Sequence, residues 1–179
     1  MVGGMPTRAE YVRAETAALL DSLRGVWDET AVDEWDHALQ AAACAIADGA
    51  DDELILAAAL HDIGHSPLLG GPGVDDHSGI ARDWITARFG ARAGWLAGAH
   101  VAAKRHLAAV DPGYATALST TSLASLAAQG GAAVDPDFAG HPWHSDALRL
   151  RRYDDAAKDP AALGAPVQVV LDLAQRLAR

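Results

Sequence analysis

A single cysteine, Cys44, stands in the 179 residues. It excludes an internal disulfide, offers no thiolate set for a structural zinc, and makes a reducing cytoplasm the expected compartment. Aromatics are sparse at 6%, and β-branched residues are not gathered into alternating runs, so a sheet is not expected. No apolar run reaches the roughly 18 residues of a membrane span, and no signal-type stretch opens the chain. Residues 1–6 read as a loose end. Basic residues are few, 14 Lys and Arg against 24 Asp and Glu, for a net charge of −10. Without a broad basic face, nucleic acid is excluded as a partner. A small anion is not, because a few pocket cations and metal ions reverse the sign locally.

What is present is half apolar, mostly Ala and Leu, enough for one domain over residues 1–179 with a sizeable core. The periodicity predicts an all-α fold. Thr7 and Glu10 form a capping box for a helix to Leu23. After a connection over 24–32, a second helix carries Trp35, His37 and Cys44 and stops at Gly49. Asp51 or Asp52 caps a third, running through His61 to Gly64. Residues 66–76, rich in Pro and Gly, form a loop. A fourth helix runs from Asp76-His77 to Gly90. A fifth runs unbroken from Arg92 past His100 and Lys104 to the Asp111-Pro-Gly break. Ser119 caps a short helix with Ser122 and Ser125. Two more span about 145–158 and 166–177. His106, His141 and His144 are expected on the surface or in loops.

Chemistry concentrates in His61-Asp62, which ends the apolar run 54–60. Neutral imidazole and carboxylate suit a borderline or hard divalent metal. The candidates are His37, His61, Asp62, His77 and His100, with Asp154 and Asp155 competing for a last place. Apart from the adjacent pair they come one per helix, as in a bundle with an interior metal site. Lys104 follows His100 by one turn and Arg151 precedes Asp154 by three residues, each on one helix face. Ser122 and Ser125 lie at a helix start, where free N–H groups favour phosphate-like oxygens. Together they predict an anion pocket beside the metal.

The stretches His37-Ala-Leu-Gln40, His61-Asp-Ile-Gly-His65, Asp75-Asp-His77, His100-Val-Ala-Ala-Lys104, Ser122-Leu-Ala-Ser125 with Gln129-Gly-Gly131, and Leu150-Arg-Arg-Tyr-Asp154-Asp-Ala-Ala-Lys158 together resemble the HD-domain mixed-valent di-iron oxygenases. This group includes myo-inositol oxygenase, and the likeness is greatest to its members that degrade 1-hydroxyphosphonates. The resemblance runs from about Trp27 to Lys158. It implies an HD-type helical bundle with an interior binuclear site of two iron ions, Fe(II)/Fe(III), held by His37, His61, Asp62, His77, His100 and Asp154, with Asp62 bridging. Asp154 is preferred over Asp155 because the family pattern Asp-x-x-x-Lys is met by Asp154 and Lys158. It further implies Lys104, Ser122, Ser125 and Arg151 as phosphonate ligands and His65 as a nearby polar contact. His65 and Lys104 are the catalytic candidates. Dioxygen is the implied co-substrate, a small organophosphonate the partner, and phosphate and a carboxylic acid the products.

Where amino-phosphonate-specific members carry a lid tyrosine and an amine-binding glutamate, ten and seven residues before the first histidine, this chain has Trp27 and Thr30. Indole is no phenolate ligand and Thr30 has no charge for an ammonium. The expected substrate is therefore a quaternary ammonium analogue resting on Trp27 by cation–π contact, or a smaller uncharged 1-hydroxyphosphonate. The rival readings are an HD-type phosphohydrolase acting on a nucleotide or phosphodiester, whose metals activate water, and a regulatory metal module without turnover.

Overall fold

The computed structural model describes residues 5–28 and 31–179. Among them there is no strand, and the fold is all-α. α1 (Arg8–Ser22) begins at the Thr7–Glu10 capping box. Asp33 caps α2 (Glu34–Ala47) and Asp51 caps α3 (Asp52–Leu60), each by a side-chain oxygen accepting a backbone N–H. A 3-10 turn, Ile63–His65, follows, then α4 (His77–Phe89), α5 (Ala91–Gly98) and α6 (His100–Val110). α7 (Tyr114–Ala117), α8 (Thr120–Ala128) and α9 (Pro136–Ala139) are short. α10 (His144–Ala156) and α11 (Val167–Leu177) complete the bundle.

α3 is the axis. Every residue from Leu54 to Leu60 is buried, as expected for a helix apolar on all sides. α2, α5, α10 and α11 pack around it. Arg92 of α5 reaches Asp51 and Glu53 of the α3 start at 2.8 and 3.0 Å and Asp146 of α10 at 3.0 Å. Arg13 of α1 meets Asp172 of α11 at 2.7 Å. No helix among the described residues is long and apolar enough to cross a membrane.

The structure departs from the sequence reading in several places. The expected unbroken fifth helix is two, α5 and α6, joined at Ala99, whose N–H bonds Trp95 O at 2.9 Å. Its glycines explain the path: a Cβ at Gly98 would sit 2.8 Å from Arg82 Cβ, so α5 lies tight on α4 and the chain turns before His100. The third helix ends at Leu60 rather than Gly64, and Asp62 (φ −107°, ψ 13°) stands outside it. His106, expected at the surface, is buried on α6, its ring 5.6 Å from Phe138 and 4.9 Å from His144. The short α9 folds back over α6 and covers the ring through Phe138. His141 and His144 are half-buried, and His141 stacks on Trp95 at 3.7 Å.

Candidate metal centre and anion pocket

His61 caps α3, and the turn after it brings the two neighbours together: His61 Nε2 is 3.1 Å from Asp62 Oδ2. The Nδ1 atoms of His37, His61 and His100 lie 2.8, 2.8 and 2.6 Å from the carbonyl oxygens of Ala157, Ala58 and Ala97. A carbonyl only accepts, so each Nδ1 carries the proton and each Nε2 presents a lone pair. Gln40 places the first acceptor, since its side chain donates to Asp159 O at 2.8 Å and accepts from Asp159 N at 3.2 Å. That contact ties the segment after α10 to the face of α2 that bears His37.

The lone pairs converge. His37 and His61 face each other, Nε2 to Nε2, at 3.3 Å, and His77 and His100 at 3.1 Å. Asp62 lies between the two pairs. Its Oδ2 is 3.1 and 3.5 Å from His61 and His37, and its Oδ1 is 3.5 and 3.4 Å from His77 and His100. Asp154 closes the first pair, 3.5 Å from both His37 and His61. Two lone pairs opposed at 3.3 Å repel unless a cation lies between them, and Asp62 Oδ1 is buried without a hydrogen bond. The donor set therefore fits two metal ions sharing one carboxylate. Its electrostatics agree. Burial lowers the His61 pKa, but Asp62 and Asp154 outweigh it and carry the group well above the ordinary value, so without a metal Nε2 takes up a proton that a bound ion would displace. Burial would raise Asp62, yet the surrounding histidines hold it well below the carboxylate range. On the other side burial prevails and takes His100 down to about 3, leaving a neutral ligand. His65 is buried behind the second pair, stacked on His77 at 4.4 Å, its Nδ1 without a partner.

The same cavity holds the cationic groups. Lys104 donates to Ser125 Oγ at 2.7 Å and Lys158 to Ser122 Oγ at 2.9 Å; Ser122 lies in the first turn of α8 and Ser125, expected at the helix start, one turn further on, in its middle. Arg151 meets Asp154 at 2.6 Å, contacts Asp155, and donates from Nε to Tyr114 OH at 3.0 Å. Burial, then the nearby Arg151, draws Lys104 down to about 8. The cavity wall includes Lys104, Ser122, Ser125 and Arg151 beside His37, Asp62, His77, His100 and Asp154. The sequence reading thus brought together residues that share one cavity.

Not every expected residue joins them. Trp27 is 60% exposed and is not on the wall; its neighbour Asp28 is. Thr30 lies outside the described residues. The wall also includes Glu34, Gln129 and Lys158, which the sequence reading did not place there. Two of them carried a signal: Glu34 stands three residues before His37, and Lys158 four after Asp154, each on one helical face or its continuation.

No family model matches the chain. The hydroxymethylphosphonate dioxygenase of Gimesia maris is 37% identical over 168 residues, which cover 85% of this chain and 80% of that protein. The chain belongs to the phosphonate dioxygenase family. A second phosphonate dioxygenase, the glycine-betaine-forming 1-hydroxy-2-(trimethylamino)ethylphosphonate dioxygenase of Leisingera caerulea, is 31% identical over 157 residues, 78% of this chain and 80% of that one. The uncharacterized protein L432 of Acanthamoeba polyphaga mimivirus is 34% identical over 134 residues, 69% of this chain and 61% of its own length.

Proposed function

We propose that this chain is a di-iron, HD-type dioxygenase that cleaves the carbon–phosphorus bond of a 1-hydroxyphosphonate. The observation that carries the reading is Asp62, set between two histidine pairs, on the wall of a cavity that also holds two lysine–serine pairs. The names of two relatives, each a phosphonate dioxygenase, support it. In this reading His37, His61 and Asp154 hold one iron, His77 and His100 the other, and Asp62 both. The irons, when bound, supply Lewis acidity and the one-electron steps that dioxygen requires.

The residues do the rest. Lys104 and Arg151 neutralise the phosphonate, and Ser122 and Ser125 orient its oxygens, so the hydroxyl-bearing carbon faces the ligand cluster. His65 supports the His77 ring from behind. The overall reaction balances: a 1-hydroxyphosphonate and one dioxygen give one carboxylic acid and one phosphate. The carbon loses its bond to phosphorus, and dioxygen is the oxidant.

Metal analysis with electron paramagnetic resonance, on protein purified without oxygen, tests the reading. Two irons, a mixed-valent signal perturbed by a hydroxyphosphonate, and phosphate release matched to oxygen uptake are expected. Zinc, manganese or magnesium alone, with phosphatase activity and no oxygen uptake, would overturn it.

A further inference from the structure

We propose that Glu34 is a third carboxylate of the metal centre, on the His37 side of Asp62, so that the centre draws on seven side chains rather than six. Glu34 opens α2, close to one helical turn before His37. Its backbone N–H bonds Val26 O at 2.8 Å, which fixes the residue where the preceding loop closes onto the helix. The side chain is 2% exposed and borders the same cavity. One of its oxygens, a His37 nitrogen and an Asp62 oxygen all lie within 4.8 Å of one another.

Charge compensation separates Glu34 from the other buried carboxylates there. Asp154 has Arg151 at 2.6 Å and Lys158 at 3.7 Å. Asp62 has imidazoles on both sides. Among the described residues no lysine or arginine meets Glu34, and its Oε2 is buried with no hydrogen-bond partner. An unpaired carboxylate in that position is costly. A metal ion shared with His37 and Asp62 satisfies it with a ligand of the right hardness.

The inference rests on the metal-centre reading above, and the test separates the two. Metal-free wild type, E34Q, E34A and E34D are titrated with ferrous or cobaltous ion under anaerobic conditions against a chromogenic chelator, and melted with and without metal. E34Q and E34A are expected to lose tenfold or more in affinity at one of two sites. E34D is expected to stay within a few-fold of wild type, and metal-free E34Q to melt no lower than metal-free wild type. Two sites of wild-type affinity in both E34Q and E34A would overturn the assignment while leaving the metal centre intact. So would an unaltered titration accompanied by a raised KM for a cationic substrate, which would make Glu34 a substrate contact. Failure of the wild type to bind metal would overturn both readings.

Discussion

Lys104 carries its charge only conditionally. Burial and Arg151 bring it to about 8, so the free site holds the ammonium below that pH and loses it above. A bound dianion favours the charged form. Affinity for the phosphonate dianion is therefore expected to fall by up to tenfold per pH unit above about pH 8. Calorimetric titration across pH 6.5–9.5 checks this, and Lys104→Met should remove the dependence along with most of the affinity. Arg151 behaves differently. Despite burial, Asp154 and Asp155 hold it charged, and Arg151→Met leaves Asp154 with Lys158 as its remaining cation and Asp155 with the Tyr114 hydroxyl. The loss should be about 3–5 kcal/mol of stability, read from denaturant unfolding of the metal-free protein. Asp28 is the cavity-wall carboxylate nearest in sequence to Trp27, and it is exposed. Asp28→Asn is expected to lower kcat/KM for a trimethylammonio substrate several-fold and to leave hydroxymethylphosphonate unaffected. Equal effects on both substrates, in steady-state assays, would remove it from substituent recognition.

At the scale of elements, the site depends on how closely the 3-10 turn Ile63–His65 approaches α4. A Cβ on Gly64 would collide with the His77 backbone, 2.6 Å from its Cα. Gly64→Ala should push α4 away and separate His77 from His100, giving one metal per chain instead of two by elemental analysis. Much of this was legible in the sequence. The Thr7 cap, an acidic cap at Asp51 or Asp52 and the all-apolar run 54–60 mark α1 and α3 through local chemistry alone. The clustered histidines and aspartates were legible because polar residues on apolar helices stand out. What was not legible depends on contacts between elements. The break at Ala99 comes from α5 pressing on α4 through Gly94 and Gly98, and the burial of His106 from α9 folding over it. Glu34 escaped notice for another reason: a glutamate in a first helical turn is ordinary, and only its burial beside Asp62 makes it unusual.

For the whole molecule, the proposed metal centre draws on helices distant in sequence. His37 lies on α2, His61 and Asp62 follow α3, His77 starts α4, His100 starts α6 and Asp154 is on α10. Ions bound there would act as cross-links that the unfolded chain lacks. At metal concentrations about a hundredfold above Kd, each site adds roughly 2.7 kcal/mol. Stripping the protein with a chelator should then lower Tm by roughly 5–10 °C per site, and reloading should restore it. Scanning calorimetry before and after chelation gives the answer. The molecule's charge of −10 coexists with an anion pocket because the cations that matter, Lys104, Lys158 and Arg151, are gathered in one cavity.

The three imidazoles aimed by Ala58, Ala97 and Ala157 have an inheritance that side-chain orienters lack. A carboxylate or amide that steers a ligand disappears with one codon change. A main-chain oxygen stays whatever residue replaces the alanine, provided the backbone path holds. Drift at those three buried positions can thus repack the core behind the site while the orientation of His37, His61 and His100 is passed on unchanged.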